Sequence, residues 1–190
     1  MFDLSRFIDA CQNALETPKP EQTICEIMSE AAAHPASIET ALRPGGATAG
    51  ECAQYHFLYQ SSDLTILNVI MPGHLPSPPH NHLIWAVIGI YGGRENNVFY
   101  RREGDRVVEA GRRNLVAPEV MVLTPDTIHG ISNPLAQRSY ALHVYGGRLA
   151  NPARSLWNPF TLQEELFKLS ALLNYEREMI QGAAKSQNKN

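Results

Sequence analysis

The stretch from Pro76 to Gly93, PSPPHNHLIWAVIGIYGG, carries two histidines, His80 and His82, two residues apart before an apolar run. Successive side chains of a β-strand point to opposite faces, so residues two apart share a face. A third histidine, His129, follows in the segment LTPDTIHGISN. If a neighbouring strand brings it alongside, three neutral imidazoles can hold one metal ion and leave positions open for water, substrate or dioxygen. The sequence therefore predicts a three-histidine metal site of the catalytic kind.

The two histidine segments resemble the two motifs of the cupin superfamily. In the usual first motif a glutamate follows the His-x-His pair, but Ala86 and Val87 stand at that spacing here. The second motif is matched by His129 and Asn133. The resemblance implies an all-β core, a cupin double-stranded β-helix of the jelly-roll type, with flanking N- and C-terminal helices. The missing carboxylate favours the three-histidine branch of the superfamily, to which the thiol dioxygenases belong.

A closer resemblance is to bacterial cysteine and 3-mercaptopropionate dioxygenases. The first histidine segment is similar to their metal-binding strand, and ALHVYG at 141–146 is similar to their Ser-x-His-x-Tyr-Gly sequence. The resemblance implies that Tyr145 and His143 form a hydrogen-bonded relay that orients substrate and oxygen. Ala141 replaces the family's serine and can neither donate nor accept a hydrogen bond. His143 therefore needs another partner, such as a water or Ser139.

Arg154 is a candidate for substrate binding. Mercaptopropionate-type enzymes place an arginine some nine residues after the relay tyrosine, and Arg154 has that spacing from Tyr145. A guanidinium can bind a carboxylate through two hydrogen bonds. The alternative, an ordinary surface arginine on a loop, remains open at this point.

The function implied by the resemblance is that of a mononuclear non-haem iron(II) dioxygenase, an oxidoreductase. It would oxidise a small thiol, such as cysteine or 3-mercaptopropionate, to its sulfinate with O₂. Imidazole ligands alone do not select the metal, so zinc, nickel and manganese remain alternatives to Fe(II). Two other functions also remain open. One is a metal-dependent cupin enzyme of non-thiol chemistry, such as an isomerase or a carbon–carbon cleaving dioxygenase. The other is a non-catalytic cupin that binds a small molecule.

Composition bounds the remaining classes. The 190 residues fit one domain with a single core, and 44% hydrophobic with 18% charged residues is ordinary for a globular protein. The net charge of −3 and the dispersed basic residues argue against a nucleic-acid partner. Three widely spaced cysteines indicate a reducing compartment. The sequence contains no apolar run of the kind that would indicate export or a membrane partner. We expect a cytoplasmic protein.

The pattern along the chain predicts a helical N-terminal extension over 1–40, a loop over 41–50 and a barrel core over 55–147. The strands that we predict in the core are Tyr55–Gln60, Thr65–Met71, Leu83–Tyr91, Asn97–Arg102, Val107–Ala110, Val120–Leu123 and Ser139–Tyr145.

A C-terminal helix is predicted over 160–182, followed by a flexible tail over 183–190. The pair Thr161 and Glu164 has the spacing of a capping box at its start. Leucines at helical spacing then form an apolar stripe, which must cover the chain's own barrel or a second subunit. A homodimer is one of the two arrangements that this stripe allows. The stripe consists of Leu162, Leu166, Leu169 and Leu173.

Overall fold

The computed structural model describes residues 1–42, 52–150 and 153–187, and the side chains of the last helix as far as residue 182. Helices lie at the two ends of the chain and strands lie between them. In chain order the elements are α1 (Leu4–Ala14), α2 (Pro20–Ala32), α3 (Pro35–Leu42), β1 (Gln54–Gln60), β2 (Thr65–Met71), β3 (Pro76–Asn81), β4 (Ala86–Gly92), β5 (Arg94–Glu103), β6 (Arg106–Val116), β7 (Val120–Leu123), β8 (Ile128–Ser132), β9 (Ser139–Tyr145), β10 (Ser155–Trp157), β11 (Glu164–Leu166) and α4 (Leu169–Gln187).

The strands form two antiparallel sheets that share one long ribbon. The sheet orders are β1-β2-β9-β4-β7 and β11-β10-β3-β8-β5-β6. Strand β5 pairs with β6, β4 with β7, β3 with β8 and β2 with β9. Strands β2 to β5 thus run back along β6 to β9 as one antiparallel ribbon, and the ribbon alternates between the two sheets as it winds. This is the double-stranded β-helix of the jelly-roll class, and the predicted fold class is confirmed.

Two apolar cores flank the first sheet. The inner core lies between the two sheets and takes inward side chains from both of them. The outer core lies between the outward face of the first sheet and the N-terminal helices. Inner residues include Leu67, Val69, Met71, Ala86, Ile88, Ile90, Ala141 and Tyr145. Outer residues include Phe7, Ile24, Met28, Ile66, Val87, Leu142 and Val144. Alternate residues of β2, β4 and β9 thus enter alternate cores, as the period of a strand requires.

Helix α2 packs closely against β4 because β4 has a glycine at the contact. A Cβ added to Gly89 would lie 2.5 Å from Cγ of Met28, closer than two carbon atoms can approach. A larger residue at position 89 would therefore force the side chain of Met28 out of its place. The predicted N-terminal helical region is present as the three helices α1 to α3. Helix α3 extends to Leu42, so the predicted loop over 41–50 is wrong at its first two residues, and 43–50 lie outside the described residues.

The predicted strand Leu83–Tyr91 is present as β4, but its start is wrong by three residues, and it does not continue the histidine segment. His80 lies on β3 in the second sheet, and β4 begins only at Ala86 in the first sheet. Between them the chain crosses from one sheet to the other, and Leu83 has a φ of 57° in the left-handed region. The prolines of β3 hid it from the sequence prediction, because proline lacks the N–H that a strand donates. The irregular pairing of β3 with β8 falls between Ser77 and His80, where these prolines lie.

The prediction of a helix from residue 160 is also wrong at its start. Residues 155–157 and 164–166 form the hairpin β10–β11, and helix α4 begins at Leu169. Glu164 belongs to β11, where its carboxylate bonds to the Arg102 guanidinium, so it does not cap a helix. The helix continues to Gln187, five residues past the predicted end, so only 188–190 of the predicted tail lie outside the described residues.

Among the helices of the described residues, none combines the length and the apolar character that crossing a bilayer requires.

Candidate metal centre

The three predicted histidines converge inside the barrel. His80 on β3 and His129 on β8 are directly opposite each other in the antiparallel pair, and His82 follows β3 immediately. One nitrogen from each ring lies within 4.8 Å of the others. Nε2 of His82 and Nε2 of His129 are 3.1 Å apart. The side chains are 8%, 5% and 2% exposed, so the three nitrogens face a buried point rather than solvent.

Hydrogen bonds fix which nitrogen of two rings is available. Nδ1 of His80 lies 3.0 Å from the carbonyl oxygen of Pro78, which can only accept, so this nitrogen carries the proton. Nδ1 of His129 lies 2.9 Å from Oδ1 of Asn97, whose own amide group donates to Glu95 over 2.9 Å. Both rings therefore present an unprotonated Nε2, the atom that binds a metal.

Burial keeps these histidines neutral. It lowers the pKa of His80 to about 4, and the pKa values of His82 and His129 lie well below their usual range for the same reason. A neutral imidazole is the form that ligates, so no proton has to leave before a cation binds near neutral pH. Three neutral imidazoles with nitrogens turned toward one point, two of them fixed as unprotonated Nε2 atoms, fit a divalent transition metal such as iron(II) or zinc.

The same burial predicts acid sensitivity of the metal-free protein. Unfolded histidines titrate near pH 6.5, whereas His143, with its pKa lowered to about 3, and the three ligands stay unprotonated in the fold to lower pH. Between about pH 6.5 and 4 the unfolded chain therefore binds more protons, and stability falls as pH falls. Buried Glu95 and Glu176, with pKa values raised to about 7, act in the opposite direction above about pH 4.3, but they are fewer.

We expect the melting temperature of chelator-treated protein to peak near pH 6.5 and to fall toward pH 4.5. Each uncompensated proton changes the free energy of unfolding by about 1.4 kcal/mol per pH unit. Thermal unfolding followed by circular dichroism across this range measures the effect. A melting temperature that stays constant from pH 6.5 to 4.5 would show that the buried histidines are protonated in the fold.

Asn97 and Glu95 were not predicted as site residues. Nothing in the sequence singled out Glu95, because it lies too far past His82 to match the cupin glutamate. It is not a ligand in the structure either. Its carboxylate instead accepts from the amide of Asn97, which orients that amide so that its oxygen faces His129. Both side chains are buried, at 2% and 1% exposure, so the contact is shielded from water.

Replacing Asn97 by leucine is expected to weaken metal binding about 10- to 100-fold, because His129 loses the acceptor that fixes its tautomer. Competition with a chromophoric chelator measures the affinity. The matched control is Asn68→Leu, since Asn68 is similarly buried and accepts from Tyr91 over 2.8 Å on the outward face of the first sheet, away from the histidines. Equal affinities in the two variants would mean that the Asn97 bond contributes nothing to the metal site.

Tyr145 and His143 lie in the same chamber as the histidines. The hydroxyl of Tyr145 is 2.9 Å from Nδ1 of His143, and the tyrosine ring packs on His82 with ring centroids 5.0 Å apart. Nε2 of His143 is buried and has no hydrogen-bond partner among the described residues. Ala141, at the position of the family's serine, packs in the inner core instead. The contact between the predicted pair is therefore present, while the far nitrogen of His143 lacks a protein partner.

A cavity of about 550 Å³ opens beside the histidines, and Arg154 is part of its wall. Its guanidinium carbon lies 3.9 Å from the ring centroid of Phe167, and that ring is 6.2 Å from the ring of His80. Arg154 is partly buried, and none of the ion pairs among the described residues involves it. Arg154 is therefore not an ordinary surface arginine, because its side chain stacks on Phe167 in the cavity wall.

No family model matches the sequence. Three solved structures share part of the fold. The DMSP lyase DddQ from Ruegeria pomeroyi DSS-3 is 20% identical, with 57% of this chain and 53% of that chain covered and a TM-score of 0.45. An RmlC-like cupin from Shewanella frigidimarina NCIMB 400 is 14% identical over 53% of this chain and 80% of its own, with a TM-score of 0.43.

The third is an RmlC-like cupin family protein with a double-stranded β-helix fold from Methanocaldococcus jannaschii. It is 12% identical over 53% of this chain and 84% of its own, with a TM-score of 0.43. The match to the lyase spans about half the length of that protein. Two of these three proteins are thus named as cupins and the other as a lyase. The winding of the ribbon itself assigns the fold of this chain.

Proposed function

We propose that this protein is a mononuclear non-haem iron(II) dioxygenase that converts a thiol-bearing carboxylic acid to its sulfinate. The observation that carries the proposal is the Tyr145 hydroxyl, which is bonded to His143 and lies in the same chamber as the three histidines. An anionic thiol acid needs a metal for its sulfur and polar groups for its other end. The cavity offers the three neutral histidines, the phenol of Tyr145 and the guanidinium of Arg154. When bound, iron(II) would supply the oxygen activation, and its undiminished charge would favour the thiolate form of the substrate.

Arg154 is the group that would bind the substrate carboxylate. The ring of Phe167 holds the guanidinium in place, and the guanidinium forms no ion pair with an acidic side chain of the described chain. A guanidinium fork offers a carboxylate two parallel N–H bonds, which fixes the orientation of the acid as well as its position. The acid end would then lie against Phe167 with the sulfur directed toward the histidines.

Tyr145 would orient the reactants through its proton. Burial raises the pKa of this phenol, so the hydroxyl stays protonated at neutral pH. His143 accepts from it or donates to it over 2.9 Å, and both arrangements fix the direction of the hydroxyl. A fixed O–H in a water-poor chamber stabilises negative charge that develops on a reacting atom more strongly than water does.

A metal-dependent cupin enzyme of non-thiol chemistry is the second candidate. The observation in its favour is the buried Nε2 of His143, which has no partner in the described part of the chain, where Ala141 stands at the position of the family's serine. A substrate oxygen that bonds to this nitrogen would complete its hydrogen bonding. Under this alternative the protein would be indifferent to thiols and would prefer another metal.

The test is oxygen consumption by protein stripped of metal and loaded anaerobically with iron(II). Cysteine, 3-mercaptopropionate, cysteamine and a blank without thiol are compared. We expect thiol-dependent uptake that is slowest with cysteamine, the one thiol without a carboxylate for Arg154. Uptake that does not exceed the blank with any of the thiols, together with activation of another reaction by zinc, nickel or manganese, would favour the second candidate.

A further inference from the structure

The cavity beside the histidines is larger than cysteine or 3-mercaptopropionate requires. Its volume of about 550 Å³ lies within the roughly 300–1,000 Å³ of pockets that bind drug-sized molecules. A small thiol acid of about six non-hydrogen atoms, at roughly 30 Å³ each as in liquid water, fills on the order of 180 Å³. Two thirds of the space would then remain for another part of the ligand.

The remaining wall of this cavity is apolar. Leucines come from three parts of the chain: Leu67 from β2, Leu149 after β9 and Leu172 from α4. The polar lining groups are mainly those already assigned to the metal, the relay and the carboxylate. An apolar wall of this kind gains little from contact with water, and it gains free energy when it covers apolar ligand surface.

The apolar lining continues to the protein surface. Phe57, Leu166 and Leu169 all line the cavity, and they are 58%, 63% and 48% exposed. Exposed large apolar side chains that gather at the rim of one cavity mark a binding groove rather than the scattered surface residues of any protein. The rim therefore extends the apolar surface beyond the enclosed volume.

We propose that the natural substrate is an anionic acid with an apolar alkyl or aryl extension, considerably larger than cysteine. The carboxylate would bind Arg154 and the extension would lie along Leu149, Leu172 and the rim. The thiol on this substrate rests on the proposed function. The preference for an apolar acid does not, because it follows from the cavity and from Arg154.

The test is calorimetric titration of the metal-loaded protein, without oxygen, with propanoate, hexanoate and octanoate, which carry no thiol. Each added methylene that becomes buried is expected to tighten binding about fourfold. Hexanol serves as the uncharged comparison, and Arg154→Gln is expected to remove the preference for hexanoate over hexanol. Affinity that does not increase from propanoate to octanoate would overturn the proposal.

Two variants locate the extension. Leu149→Trp fills part of the cavity, and Leu169→Trp narrows the rim at a half-exposed position where folding is not at risk. Both are expected to lower the ratio of octanoate to propanoate affinity, and an unchanged ratio in both contradicts the placement. Light scattering over a range of protein concentrations examines the rim separately. A dimer that Phe57→Ser dissociates would show that a second copy covers the rim, against this proposal.

The same titrations separate the two proposals. If octanoate binds tightly but the protein shows no thiol-dependent oxygen uptake, the proposed apolar acid substrate is supported and the dioxygenase activity is excluded. Rapid oxidation of 3-mercaptopropionate by a protein whose affinity for carboxylic acids is independent of chain length would support the dioxygenase and exclude the apolar substrate.

Discussion

Replacing His129 by alanine is expected to abolish both metal retention and thiol-dependent oxygen uptake. The variant leaves His80 and His82, which cannot complete a facial set of three ligands. Among the described residues, these three histidines are the one group of three or more candidate ligands whose ligand atoms lie within 4.8 Å of one another, so the loss of His129 leaves only two. Metal analysis after desalting and the oxygen electrode measure the two losses. We expect them to occur together.

The matched control is His56→Ala. His56 lies on β1, is partly buried and bonds to Gln54, so its removal tests the loss of a histidine elsewhere in the same barrel. Metal content and oxygen uptake should stay at the unmodified level in this variant. A His129→Ala protein that is folded and still retains a full equivalent of metal would exclude the proposed ligand set.

Replacing Tyr145 by phenylalanine is expected to lower kcat by roughly 10²- to 10⁴-fold, the range associated with a positioned proton donor. The change removes only the hydroxyl and leaves the ring packed against His82. Iron content should therefore stay unchanged while turnover is lost. Oxygen uptake at saturating thiol, normalised to bound iron, separates these two effects.

Tyr91→Phe is the control for this deletion. The Tyr91 hydroxyl donates to Asn68 over 2.8 Å and faces the outer core, away from the histidines. Its loss is expected to cost about 1 kcal/mol of stability and to leave oxygen uptake unchanged. If both tyrosine variants turn over at the same rate as the unmodified protein, the hydroxyl of Tyr145 has no part in the reaction.

The metal ligands could be predicted from the sequence because a strand alternates its side chains. A spacing of two predicts a shared face wherever the backbone is extended, so the spacing of His80 and His82 was informative although β3 itself was not predicted. Strand β3 was missed because its prolines argue against a strand, and pairing with β8 supplies the evidence that sequence lacks. Local preference and tertiary pairing disagreed at this element, and tertiary pairing prevailed.

The C-terminal segment shows the opposite limitation. Thr161 and Glu164 satisfy a local capping pattern, which is the kind of signal that a sequence provides. The carboxylate of Glu164 instead bonds to Arg102, sixty-two residues earlier, and β10 pairs with β3. Contacts between such distant residues leave no local pattern.

The hydrogen bond that His129 donates to Asn97 is another contact without a local sequence pattern. The two residues lie thirty-two positions apart, and Asn97 is oriented by Glu95, for which the sequence predicts no role at the site. The size and the apolar lining of the cavity are equally invisible, since the leucines that form it come from separate parts of the chain.

The wound ribbon has a consequence for the order in which the protein assembles. Its only local turn joins β5 to β6, and each further pair, from β4–β7 through β3–β8 to β2–β9, closes a longer loop of chain. Because loop closure costs more entropy as separation grows, the ribbon is expected to zip from that turn toward the chain ends. His80 and His129 then meet at the third rung, while Tyr145 joins at the fourth. A folding chain would thus assemble the candidate cation site before it adds the hydroxyl to which we assign the orientation of the reactants.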